Sequence, residues 1–172
     1  SVPISRSGAN HRMNRLLELE TRYNEFIERQ DPLEGQRDES LAWERIHMAS
    51  SASEAWRMAE ELGEDPEIAA CAAAVHDIGR VVTGRQAGHA EAGYEPAKAF
   101  LKATGLFDEE EIEIIAAAVR KHSSKTECGT ILEEIVKDAD VIDCFRFGYP
   151  FDRPEKEQRY HRWKERRMTA KG

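Results

Sequence analysis

Between Asp65 and Gly79 the chain reads DPEIAACAAAVHDIG, and this stretch constrains the fold more than any other. Asp65 is a helix-capping residue, Pro66 suits a first helical turn, and Glu67 follows them. The helix they start carries Ile68, Cys71, Ala72 and Val75 as apolar positions, and Gly79 is read as its stop. At its exit stand His76 and Asp77. An ionised carboxylate buried without a partner costs on the order of several kcal/mol. Asp77 must therefore reach solvent or be paired.

The remaining periodicity is also helical. Met13, Leu16, Leu17, Tyr23, Phe26 and Ile27 form one apolar face, and DPLEGQRD then breaks the pattern. A second helix is read from Asp38 to Leu62, with Leu41, Ile46, Met48, Ala55, Met58 and Leu62 as core positions and Gly63 as its end. RVVTGRQAG reads as a loop with two glycines, before a fourth helix over roughly His89 to Thr104. Asp108 caps a fifth, EEEIEIIAAAVRKH, whose early glutamates suit the positive end of the helix dipole. A sixth spans about Ile131 to Phe145, FGYPFDRP interrupts the chain, and a charged helix closes it from about Glu155 to Arg167. No segment reads as a strand, so the expected fold class is all-α. Three parts make up a single domain: 1–37 as N-terminal segment and helix, 38–150 as core, and 151–172 as a charged terminal helix.

Composition narrows the function. A chain of 172 residues with 40% hydrophobic and 34% charged residues can bury one core. No apolar run approaches the roughly 20 residues that span a bilayer. Ser1 to Arg12 lacks the apolar stretch of a signal peptide, and Cys71, Cys128 and Cys144 make no CxxC pair. A cytoplasmic chain with reduced thiols is expected, with no membrane partner. The net charge of −8 argues against a nucleic-acid polymer as partner, but not against a small anion next to a bound cation.

His47 lies within the second helix, His76 and Asp77 close the third, His89 opens the fourth, His122 closes the fifth, and Asp140 sits within the sixth. Imidazole nitrogen and carboxylate oxygen are ligand types for Mn, Fe, Ni, Mg or Zn. Neighbouring helical side chains point about 100° apart, so His76 and Asp77 can share an ion only beside the helix edge. Spacing by itself leaves a helical protein with a candidate metal site.

In order, His47, His76-Asp77 and Asp140 resemble the ligand series of the HD superfamily of metal-dependent phosphohydrolases. AACAAAVHDIGR is similar to that family's apolar helix ending in HD-I-G, and VKDADVID to its final segment, with Asp138 and Asp143 beside Asp140. The resemblance covers about residues 41 to 147 and implies an HD-domain-like helical bundle, its domain core at 38–150. It implies a divalent ion on His47, His76, Asp77 and Asp140. His89 in HAEAG and His122 in VRKHS hold a second ion in some members, with the HD aspartate bridging, and line the substrate site in others. One or two ions are expected. HS stands where cyclic-dinucleotide members carry an HH pair, and FGYP falls after Asp140, so that branch is not implied. The closest likeness is to small stand-alone HD hydrolases acting on a nucleotide or another small phosphorylated metabolite; the mixed-valent di-iron oxygenase branch is the alternative.

On the hydrolase reading Asp77, His89 and His122 are the catalytic candidates, with Asp77 orienting or deprotonating water. Arg80, Lys121 and Lys125 are candidates to hold phosphate oxygens, though each could equally cap a helix end. His11 is assigned no role and His161 is read as solvent-facing. Core packing accounts for Trp43 and Trp56. The terminal helix, with Tyr160 and Trp163, is read as solvated with one packed aromatic edge. The amphipathic first and last helices leave room for a homodimer.

Overall fold

The computed structural model describes residues 8–30 and 35–171, and the side chains of 15–30 and 35–169. Expectations for His11, for the Met13 side chain and for 1–7 and 31–34 lie outside the described residues. All the described elements are helical. In chain order they are α1 (Gly8–Glu28), α2 (Leu41–Leu62), α3 (Pro66–Val75), α4 (Ile78–Thr83), α5 (His89–Ala92), α6 (Tyr94–Thr104), α7 (Glu109–Lys121), α8 (Ile131–Arg146) and α9 (Pro154–Lys171). None is long and apolar enough to cross a membrane.

Side-chain caps set most of the starts. Asp65 accepts from the amides of Glu67 and Ile68 at the head of α3. Asp108 with Glu111, and Thr130 with Glu133, close reciprocal capping boxes on α7 and α8. α2 begins after the Ser40 cap rather than at Asp38, because the Ser40 hydroxyl accepts from the Trp43 amide.

α3 is the central helix. It packs against α1, α2, α7 and α8, and every residue from Glu67 to Val75 is buried. Its alanines let neighbours approach closely: Ala69 and Ala73 meet Ala55, Ala59, Ile135 and Ala139 in one cluster. A helix apolar on all sides has to sit inside a bundle. Leu41, Met48, Ala55 and Met58 of α2 are buried as expected, but Ile46 is 48% and Leu62 49% exposed. Ile46 adjoins the inward-facing His47 and so points about 100° away from it, and Leu62 lies in the final turn. Leu17 is likewise exposed.

Two further boundaries differ from the sequence reading. α3 ends at Val75, and Gly79 is not its stop but lies inside α4. A Cβ at Gly79 would fall 1.9 Å from the His89 carbonyl oxygen and 2.7 Å from the Gly93 amide nitrogen. The glycine is needed because α4 and α5 touch backbone to backbone. Arg80 to Thr83 are helical rather than loop, and the stretch from His89 to Thr104 divides at Gly93 into α5 and α6. Tyr160 and Trp163 pack α9 onto the cluster of α2, α3 and α8, the single aromatic edge expected of it. His161 is exposed.

Candidate metal centre

Three of the four site histidines are oriented by the helix termini at which they stand. His76 and His122 are the C-cap residues of α3 and α7, where the last carbonyls have no helical partner. Their Nδ1–H groups donate to Ala73 (2.6 Å) and Val119 (2.8 Å), three residues back. His89 opens α5 and donates from Nδ1 to the Gln86 carbonyl at 2.7 Å. His47 sits mid-helix, where the carbonyls are taken, and its Nδ1 instead meets Asp143 Oδ2 on α8 at 2.7 Å. A carbonyl oxygen can only accept, so Nδ1 carries the proton in three of the rings, and an ionised Asp143 assigns the same tautomer to His47. In the neutral ring each Nε2 is then a bare lone pair.

All four Nε2 atoms converge with two carboxylates. His47, His76, Asp77 and Asp140 bring one ligand atom each within 4.8 Å of one another, and so do Asp77, His89 and His122. His47 Nε2 lies 3.1 Å from His76 Nε2 and 2.9 Å from Asp140 Oδ1. His89 Nε2 lies 2.9 Å from His122 Nε2. Asp77 turns Oδ2 toward His47 (3.4 Å) and His76 (3.2 Å), and Oδ1 toward His89 (3.0 Å) and His122 (3.3 Å). Lone pairs and negative oxygens at these separations repel unless a proton or a cation lies among them. The donor set therefore fits a divalent ion held by imidazole nitrogen and carboxylate oxygen.

The charges have identifiable supports. Burial pushes the Asp77 carboxyl up, but Arg80 and His76 outweigh it and hold Asp77 well below the usual carboxylate range. Lys125 and His76 do the same for Asp140 against its burial. Burial draws the His76 imidazole down, but Asp77 and Asp140 on either side leave it well above 6.5. His122 goes the other way, to about 4, because burial is reinforced by His76 and Lys125. An ion that neutralises the carboxylates would bring His76 to the neutral form a ligand requires.

The basic residues expected near substrate divide into two groups. Arg80 is buried, with Nη2 2.7 Å from Asp77 Oδ2 and Nε and Nη2 on the two oxygens of Glu44, at 2.7 and 3.0 Å. Lys125 is buried with Nζ 3.0 Å from Asp140 Oδ2. Both touch the cluster by holding its carboxylates. Lys121 is not brought there: its side chain is exposed and Nζ lies 3.7 Å from Glu127. At the end of α7 His122 turns inward, so the preceding side chain points away.

Three further residues belong to the site. Glu44 pairs with Arg80 four residues after the Ser40 cap, and nothing in the sequence marks it as buried. Asp143, expected only as a neighbour of Asp140, is fully buried and accepts from both His47 and Ser50. Trp43, assigned to core packing, instead lies parallel to the His47 ring at 4.9 Å and lines a pocket that reaches Asp140. The spacing Trp43–His47 is one helical turn, and that signal was available in the sequence.

The comparisons agree with this geometry. A family model for the HD domain matches residues 45–144. Ribonuclease Y of Thermobifida fusca (strain YX) is 33% identical over 103 residues, which are 59% of this chain. They are 19% of that protein, so the chain spans about a fifth of its relative's length. A crystal structure of a predicted HD superfamily hydrolase from an uncultured Thermotogales bacterium superposes with a TM-score of 0.50 and 27% identity. That match covers 74% of this chain and 80% of the other. With the family model matched over more than half of its residues, the chain belongs to the HD domain family.

Proposed function

We propose that the protein hydrolyses a phosphate ester or phosphoanhydride of a small metabolite, a nucleotide being one such compound. The observation that carries this is the proton accounting: four Nε2 lone pairs and two carboxylates face one another, with Nδ1 protons turned outward. His47, His76, Asp77 and Asp140 would hold one ion, and Asp77, His89 and His122 a second. Such ions supply a nucleophile at neutral pH and offset the charge on phosphate oxygens.

The protein's own groups do the rest. Asp77, held by Arg80, accepts a proton from attacking water or fixes its direction. Lys125 stands 3.0 Å from Asp140, where its ammonium can donate to a phosphate oxygen entering from the solvent side. His89 and His122 would either ligate an ion or line the substrate site through their Nε2 lone pairs. The net charge of −8 favours a small substrate over a nucleic-acid polymer.

The test is phosphate release from nucleotides and simple phosphate esters with Mn²⁺, Fe²⁺, Ni²⁺, Mg²⁺ or Zn²⁺ added to chelator-stripped protein. Release should depend on the ion and vanish in Asp77→Ala; unchanged turnover in that variant overturns the reading. The sharing of Asp77 through opposite oxygens also suits two irons, as in the di-iron oxygenase alternative. Oxygen uptake with two irons per chain and no phosphate release would select that alternative.

A further inference from the structure

We propose that the pocket beside Asp140 is a subsite for a flat aromatic or heteroaromatic ring, so that the ester cleaved is one of a nucleoside or an aryl alcohol. This inference rests on the hydrolase reading for what the ring is attached to. The pocket has a volume of about 330 Å³ and is walled by Trp43, Phe145, Tyr149 and Phe151, with Asp140 among its lining residues. Asp140 is the least buried ligand candidate: its side chain is 15% exposed, against 8% or less for His47, His76 and Asp77. The open side of the cluster therefore faces this pocket.

Aromatic residues are 8% of the chain, yet four line this pocket and Phe147 adjoins it. Phe145 is 41% and Tyr149 37% exposed. Aromatic rings left in water beside a catalytic cluster, with polar groups at the rim, are the usual character of a ligand pocket. The rings are also fixed in place. Trp43 lies on His47, Tyr149 is 4.8 Å from Trp43, and Phe145 stacks on Phe151 at 4.7 Å with parallel planes. Gly148, at φ 92°, makes the left-handed turn that precedes Tyr149. These rings hold one another without filling the space between them. At the rim the Tyr149 hydroxyl donates to Glu39 at 3.0 Å, and Lys156 pairs with Asp152 at 2.8 Å. Exposed pairs of this kind can be exchanged for contacts to ring substituents or sugar hydroxyls. A sugar or glycerol phosphate would leave the aromatic walls wet, whereas a stacked ring covers them.

The test is an amide and indole NMR titration of chelator-treated full chain with adenosine, phenol and ribose. The probes are neutral, so Asp77 and Asp140 do not repel them. Adenosine or phenol should shift the Trp43 indole and the amides of 145–149 and 151, and bind about tenfold more tightly than ribose, the factor that one stacked ring supplies. The double variant Tyr149→Ala/Phe151→Ala should lose most of that margin. Shifts with adenosine alone identify nucleosides as the source, and comparable shifts with phenol identify aryl esters generally. Equal binding of all three, no binding, shifts elsewhere, or a margin that survives the double variant overturns the proposal. Because no metal is needed, a failure to release phosphate from any ester would refute the hydrolase reading separately.

Discussion

Replacing Arg80 with methionine asks whether this guanidinium serves the architecture of the site or the substrate. Both Glu44 oxygens are bonded to Arg80, and the Glu44 side chain is 1% exposed. Asp77 keeps His76 and His89 when Arg80 is gone; Glu44 loses its cation. A stranded buried carboxylate escapes by taking a proton. Against an unfolded pKa of about 4.3, and at about 1.36 kcal/mol per unit, holding Glu44 neutral costs up to about 3.7 kcal/mol at pH 7. At pH 5 the same cost is about 1 kcal/mol. The sign follows from linkage: with its folded pKa raised above the unfolded value, Glu44 binds more proton in the folded state, and the variant recovers stability as pH falls. Urea unfolding in chelator at the two pH values reads this directly. Glu44→Met/Arg80→Met, which removes both charges, should lie within about 1.5 kcal/mol of the parent at either pH. An Arg80→Met deficit independent of pH, or a double variant no more stable than the single, refutes the reasoning. An Arg80 that only grips phosphate would leave chelated stability unchanged and raise KM.

Asp143→Ala removes the acceptor that fixes the His47 tautomer, and metal affinity measured by competition with a chromophoric chelator should fall about 10–100-fold. An affinity within about threefold of the parent would show that Asp143 does not orient the ligand. Gly79→Ala should cost at least about 3 kcal/mol in urea unfolding, since the added methyl overlaps the His89 backbone and α4 and α5 must separate; near-parental stability contradicts the close approach. In chelated protein the raised His76 pKa contributes stability that is present below about pH 6.5 and lost as pH rises through its folded value. The depressed Asp77 and Asp140 contribute stability above about pH 3.8 that is lost as pH falls through their folded values. The chelated melting temperature should therefore fall from pH 6 toward alkaline pH, and metal should flatten that limb. A pH-independent limb in the chelated protein would show that His76 is not charged between its carboxylates.

The fold was legible because its signals are local. Asp65, Asp108 and Gly63 mark ends through bonds to residues within one turn, and α3 announces its burial by composition. The candidate ligand set His47, His76, Asp77, His89, His122 and Asp140 was legible through its ordered resemblance to the HD series, whereas helical spacing alone could not show that these residues converge. Long-range pairings were not legible. Glu44 reads as an ordinary surface glutamate until α4 brings Arg80 against it. Arg159 looks like one more charge on a solvated helix, but it is 4% exposed and donates to the Lys125 and Glu127 carbonyls and to Glu134 and Asp138. Gly79 was misread because a glycine that ends a helix and one that admits another backbone look the same in one dimension. Lys121 and Lys125 flank the same histidine and differ only in the turn that follows.

The ligand candidates come from α2, the α3–α4 junction, α5, the end of α7 and α8, so one small centre gathers residues from position 47 to position 140. An unfolded chain cannot assemble such a set, and an ion bound there favours the native ensemble alone. Each tenfold rise of free ion above its dissociation constant then adds about 1.4 kcal/mol to the native state. The melting temperature of the protein becomes a gauge of loading, and the lifetime of the chain against proteases becomes tied to the supply of metal around it.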